Sequence, residues 1–287
     1  MRYKEVKKAS IIGIICNLFL FIIKIIIGCL SNSIAMISDA FNSGGDVFSS
    51  FMTFIGNKIA SKPADDDHNF GHGKAEYIYS MIISIMMILT GLVIIKDSII
   101  SIINKSKVDY SIFLIIVCII TIVTKLLLFI YTNIIYKKNK NLLIKANSTD
   151  HRNDCFLTTC TLISCIFAKY NIYYIDKVVG LIISIWILIT SIKIFKQSYD
   201  VLMDKAISNE EKEKVLNIIK KNKYVQGIEK FNSIPVGYKY QISFTIFVDK
   251  NMTTYESHKI ADSLEKEITD KIDDIYLTII HVEPKEE

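Results

Sequence analysis

The chain has 287 residues, 51% of them hydrophobic, with a mean hydropathy of +0.35 and a formal net charge of +5. That hydropathy is high for a soluble domain, and so small a charge without a long basic run excludes a nucleic-acid footprint. The six cysteines, Cys16, Cys29, Cys118, Cys155, Cys160 and Cys165, sit in apolar stretches with no CxxC pair and no Cys/His zinc spacing. They read as small buried residues rather than as ligands or a disulfide framework, and the cysteine-free remainder suits a reducing cytoplasm.

The apolar residues gather in long blocks up to about residue 200. This divides the chain into an expected membrane domain over residues 1–203 and a soluble one over 204–287. A bilayer-spanning helix needs about 20 mostly apolar residues. Six segments qualify: Ser10–Leu30, Ile34–Ala60, Tyr77–Ile103, Ser111–Tyr136, Leu142–Ala168 and Ile172–Phe195. The first is too long for a signal segment and lacks a small-residue cleavage site, so it is expected to be retained. None shows the short alternating pattern of a membrane strand.

Basic residues in the short connections set the expected orientation. Arg2, Lys4, Lys7 and Lys8 precede the first span, Lys58, Lys62 and Lys74 lie between spans 2 and 3, and Lys137, Lys138, Lys140 and Lys145 lie around the 4–5 connection. The opposite turns carry fewer, namely Lys105, Lys107, Lys169 and Lys177. An even number of spans then puts both termini in the cytoplasm.

Beyond Asp204 the pattern changes. Asn209–Lys221 is an amphipathic helix, and Tyr224–Ser233 and Tyr238–Val248 read as strands with Pro235 and Gly237 as the turn between them. Thr253–Ile272 is a second helix with an N-capping threonine, and Ile275–Val282 is a last strand. The order α-β-β-α-β predicts helices covering one face of a mixed sheet.

The informative residues are charges inside the spans. Each costs about 2.5–3.5 kcal/mol near the bilayer centre, which makes it a functional hypothesis by default. Asn42 and Asp46 in span 2 share one helical face, with Asp39 close to the same stripe, and Asp150 and Asp154 repeat that spacing in span 5. Gly44 and Gly45 allow close helix packing. Two helices, each offering an i, i+4 oxygen pair, can close a metal site. Asp150 could instead be a solvated helix end paired with Arg152. Asp46 has no basic neighbour in its own span, so that alternative does not serve it. Three unpaired carboxylates would cost roughly 8–10 kcal/mol on the same scale, and a divalent cation offsets that directly. His151 faces about 100° away from Asp150 on a helix, and Lys24 and Lys125 either snorkel or pair with acidic groups.

The string Phe70-Gly71-His72-Gly73-Lys74-Ala75-Glu76, following Asp65, His68 and an Asp-rich span 2, resembles the cation diffusion facilitator family of divalent metal/proton antiporters. The resemblance runs over nearly the whole chain. It implies a six-helix transmembrane bundle plus a C-terminal cytoplasmic α+β ferredoxin-like domain, a homodimer in the cell membrane, and metal ions, protons and lipid as partners, with no organic cofactor and no enzymatic activity. It places the transport site on Asn42, Asp46, Asp150 and Asp154. It also implies a loop site on Asp65, His68 and His72, a tail site on His258, His281 and Glu283, and an inter-protomer charge pair between Lys74 and Asp204. Glu229 and Thr245 stand where the family's zinc-binding tail has histidines.

Asn-x3-Asp with Asp-x3-Asp looks like the manganese-exporting branch. Zinc favours tetrahedral sites with His or Cys, whereas hard oxygen ligands and higher coordination suit Mn²⁺ and also Fe²⁺. Competition between metal and protons for the same oxygens would couple export to proton entry, with helices rocking about a fixed site. Three rivals stand beside this reading. One is Zn²⁺ or Fe²⁺ as cargo. Another is a membrane-tethered metal sensor. The third, an intramembrane metalloenzyme, lacks a His-Glu-x-x-His helix.

Overall fold

The computed structural model describes residues 2–30, 34–103, 112–168 and 175–286. They fall into two compact units, Met1–Ser61 with Ala75–Tyr199, and Lys62–Lys74 with Asp200–Glu287.

Six long helices make the first unit: α1 (Arg2–Leu30), α2 (Ile34–Ala60), α3 (Ala75–Ile103), α4 (Ile112–Asn139), α5 (Leu142–Ala168) and α6 (Ile175–Leu202). Among the described residues four of them, α1, α3, α4 and α6, are long and apolar enough to cross a membrane. The other two are as long but carry the polar interior. Helix α2 buries Ser43, Asp46, Ser49, Ser50, Thr53 and Asn57, and α5 buries Asn147, Ser148, His151 and Asn153. Large apolar side chains point the other way. Ile15, Leu127, Ile134, Ile182 and Trp186 are all at least half exposed. Apolar outside and polar inside is the arrangement lipid demands and water forbids.

Several helices outrun the hydropathy blocks. Helix α1 starts at Arg2 rather than Ser10, because Val6 and Ala9 are buried against Ile135 of α4 and Ile144 of α5. Hydropathy marks only the stretch that meets lipid, whereas packing continues the helix past it. The turns expected to carry Lys105, Lys107 and Lys169, and the side chain of Lys177, lie outside the described residues.

One carboxylate ties three of these helices together. Glu76, in the first turn of α3, is buried. Arg2 Nη2 donates to its Oε1 at 2.9 Å and lies 2.8 Å from its Oε2. The amide of Leu142, the first residue of α5, donates to the same Oε1 at 2.6 Å. A helix start leaves such amides without intrahelical partners, so Glu76 satisfies one of them and complements the helix dipole as well. Arg2 Nε also donates to the Asn139 carbonyl at 3.1 Å.

The second unit contains α7 (Asn209–Lys220), β1 (Gly227–Val236), β2 (Lys239–Val248), α8 (Thr254–Lys271) and β3 (Ile275–Pro284). The sheet order is β1-β2-β3, with β1 and β2 antiparallel and β2 and β3 parallel. Ile242, Phe244, Ile246 and Val248 alternate along the central strand and are buried with Val215 and Ile219 of α7 and Leu264 and Ile268 of α8. Helix α8 opens with a reciprocal capping box between Thr253 and Glu256.

The hairpin turn differs from expectation. Strand β1 runs through Pro235 to Val236, and Val236 pairs with Lys239, so the loop is only Gly237-Tyr238. An edge strand tolerates proline, and Gly237 takes the positive φ of +62° that a tight turn needs. The segment before α3 packs on this turn. A Cβ on Gly73 would come within 2.8 Å of the Gly237 Cα, so the close approach leaves no room for a side chain at Gly73.

Replacing Glu76 by alanine should strand the Arg2 guanidinium and the Leu142 amide. Losing one partner of a buried pair costs about 3–5 kcal/mol. Thermal unfolding of the purified full-length protein should show a clear drop in melting temperature, and an unchanged midpoint would refute this account of the junction.

Candidate metal centre

Helices α2, α4 and α5 converge on one polar cluster in the first unit. One carboxylate oxygen each from Asp46, Asp150 and Asp154 lies within 4.8 Å of the others. The i, i+4 spacing on α5 puts Asp150 and Asp154 on one stripe, and α2 brings Asp46 to face it. A Ser49 side chain hydrogen-bonds Asp150, but Asp150 Oδ2 is buried without a partner among the described residues. A buried carboxylate oxygen in that condition calls for a cation or water.

Asn42 stands one turn before Asp46 on α2. It lines a cavity of about 50 Å³ together with Asp46 and Asp154. Asn42, Leu157 and Thr161 also line a neighbouring cavity of about 250 Å³ that reaches Asp97 on α3 and Gly180 on α6. On the side toward the N-terminus of α1, hydrogen-bonded polar side chains cross the interior. Asn17 Nδ2 donates to the Asp46 carbonyl at 3.2 Å and to Ser50 Oγ at 3.0 Å, and Asn147 Nδ2 donates to Thr53 Oγ1 at 3.2 Å.

The two intramembrane lysines, whose partners the sequence left open, are both ion-paired here. Lys125 Nζ of α4 donates to Asp46 Oδ2 and to Asp154 Oδ2, each at 2.6 Å. Lys24 Nζ of α1 lies 2.8 Å from Asp39 Oδ2 and donates to Ser43 Oγ at 3.0 Å. Both lysines are buried and line the same small cavity. Neither residue stands at ligand spacing in its own helix, so periodicity could not assign them; an uncompensated lysine deep in an apolar block was the available signal.

His151 is buried against Gly13 of α1, and neither ring nitrogen has a hydrogen-bond partner among the described residues. Arg152 is not the partner of Asp150; its guanidinium lies 5.8 Å from the Trp186 ring centroid and donates to Asn153 Oδ1 at 3.2 Å.

A second cluster lies in the loop before α3. Single ligand atoms of Asp65, His68 and His72 lie within 4.8 Å of one another. Asp65 Oδ1 is 3.1 Å from His68 Nδ1, and Asp65 Oδ2 is 3.4 Å from His72 Nε2. The loop is folded for this. Asp65 and His68 exchange backbone hydrogen bonds at 3.3 Å, Gly71 takes a φ of +73°, and its amide donates to the His68 carbonyl at 2.8 Å. His72 Nδ1 lies 3.3 Å from the Pro63 carbonyl and its Nε2 faces Asp65 Oδ2, so each ring nitrogen meets an oxygen acceptor. The slight burial of Asp65 works against its charge, but the His68 amide and ring outweigh it and hold the carboxyl below its usual range. This carboxylate is therefore ionised throughout the neutral range and gives up no proton to bind a cation.

The tail residues do not form such a cluster within one chain. His281 Nε2 lies 3.1 Å from Glu283 Oε1 on β3, while His258 on α8 lies 3.6 Å from Asp262. Among the described residues these three do not come together as a ligand set. Glu229, Thr245 and His281 sit side by side across the three strands. The Lys74–Asp204 pair, expected between protomers, forms within a single chain at 2.7 Å. It closes there because Asp204, at a positive φ of +53°, follows α6 directly and belongs to the same unit as the loop ending at Lys74.

Residues 10–203 match the cation efflux transmembrane domain, and residues 207–285 match the cation efflux protein cytoplasmic domain. An uncharacterized transporter of Methanocaldococcus jannaschii is 30% identical over 98% of this chain and 99% of its own. The Bacillus subtilis manganese efflux system proteins MneP and MneS are each 28% identical, over 97% and 100% of this chain and 96% and 99% of theirs.

Asp65→Ala should release the loop, because the carboxylate is the common partner of both histidines. Hydrogen exchange over residues 64–72 should accelerate, while exchange over helices α2 and α5 of the first unit is unchanged. Unaltered exchange would show that the backbone turns alone hold the loop.

Proposed function

Since the chain belongs to the cation efflux family, multi-pass membrane transporters of divalent cations, we propose that it is a Mn²⁺/H⁺ antiporter that removes manganese from the cytoplasm. The observation that carries the metal assignment is the donor set: Asp46, Asp150 and Asp154 supply only carboxylate oxygens, and Asn42, with its amide, lines a cavity with Asp46 and Asp154. His151, the nearest nitrogen donor in sequence, packs toward α1 instead. Hard oxygen donors suit Mn²⁺, which would complete its coordination with water. The names of MneP and MneS support the same cargo. Fe²⁺ is the second reading, because it accepts the same donors.

In this reading all six helices span the bilayer, α2 and α5 with their polar faces inward, and residues 1–203 form the transport domain. Both termini are cytoplasmic, as the basic residues before α1 and between α4 and α5 favour. The larger cavity past Asn42 is the exit side, and the closed Asn17–Ser50 and Asn147–Thr53 layer is the cytoplasmic gate. Residues 204–287 form a ferredoxin-like regulatory domain that pairs two protomers, in keeping with the dimer domain matched there. Asp65, His68 and His72 form an accessory metal site at the loop. His258, His281 and Glu283 become ligands only with groups from the second protomer. The physical cycle is short. Metal arriving from the cytoplasm displaces protons from the carboxylates, and protons arriving from outside displace metal.

Flux in proteoliposomes tests this. Asp46→Ala and Asp154→Ala should each abolish Mn²⁺ uptake coupled to a proton gradient while the protein still elutes as a folded dimer. Sustained transport in either variant would overturn the site. Asn42→His should shift preference from Mn²⁺ toward Zn²⁺ by roughly tenfold or more, since imidazole favours zinc. An unchanged ratio would remove the donor-set argument.

A further inference from the structure

The ammonium of Lys125 stands where a cargo ion would have to stand. It contacts Asp46 Oδ2 and Asp154 Oδ2 at 2.6 Å each, and those two carboxylates with Asp150 are the proposed ligands. The side chain comes from α4, which contributes no ligand of its own. We infer that Lys125 is a tethered counter-cation of the transport site, which holds the ligands together when metal is absent and must swing aside for a divalent ion to enter. The inference rests on the transport-site reading above.

Two observations support a movable rather than a fixed lysine. The cavity of about 50 Å³ adjoins the ammonium. Thr121, one helical turn back on α4, lines that cavity, and its buried hydroxyl oxygen has no hydrogen-bond partner among the described residues. It offers an acceptor for the displaced Nζ at i, i−4. Lys24 does not compete for the same carboxylates, because it is occupied by Asp39 and Ser43.

Formal charge explains what such a lysine achieves. Once their protons are displaced, three carboxylates with one ammonium leave −3 + 1 = −2, and an entering divalent ion with the lysine still nearby brings the total to zero. A monovalent ion brings no charge advantage over the ammonium already in place, whereas a divalent ion does. The tether therefore lowers affinity for every cation but rejects monovalent ions most, and it lets the empty carrier reorient with Asp46 and Asp154 already partnered. Release of cargo is aided by the same group, which returns as the metal leaves.

Calorimetric titration of Mn²⁺ into the solubilised full-length protein tests this. Lys125→Met and Lys125→Gln, which keep length and remove charge, should bind Mn²⁺ roughly tenfold or more tighter than the parent. Lys125→Arg keeps the charge and should not tighten binding. A lysine that merely braced the helices would give weaker binding on removal. Unchanged or weaker affinity in whichever neutral variant folds like the parent overturns the inference, and so does equal tightening in Lys125→Arg. Asp46→Ala is titrated alongside. If it loses binding while the neutral variants do not tighten, only the lysine role falls; if it binds as the parent does, the transport-site reading falls first.

Discussion

The structure of the membrane unit depends on the cost of placing carboxylates where water is scarce. Asp46 and Asp154, a few ångströms apart beside Asp150, share a positive group that stands between them, the Lys125 ammonium. The constraint propagates outward. Helices α2 and α5 must be polar on their inner faces, so they depend on α1, α3, α4 and α6 for their apolar surroundings. Buried serine, threonine and asparagine side chains then pair across the interior instead of meeting lipid.

A transporter gains from balance of this kind rather than from maximal stability. A site with no internal cation would hold its cargo too firmly or demand several protons to empty. A site filled permanently by a salt bridge would not bind at all. A single tethered lysine beside a small polar cavity lies between those limits. The Arg2–Glu76–Leu142 junction differs in kind. It is buried, held by several hydrogen bonds and linked to a helix start, which suits a fixed anchor. The second unit has a conventional core of alternating strand residues under two amphipathic helices, and its loop histidines are held by a carboxylate that stays ionised.

The sequence by itself determined the helix count, the α-β-β-α-β order of the tail and the pairing of acidic residues on two helical faces, because those follow from periodicity and from the expense of intramembrane charge. It also carried the Phe-Gly-His-Gly-Lys-x-Glu string that marks the family. Tertiary structure alone decided which cation meets which carboxylate. Lys125 and Asp46 are far apart in the chain, and no local pattern encodes their contact. It also decided that Lys74 and Asp204 close within one chain, and that β1 continues through Pro235, which only an edge position tolerates. Local spacing fixes which residues share a face, but the partner of a buried charge is chosen by how the helices pack, and that choice turned a row of acidic residues into a site already holding a cation.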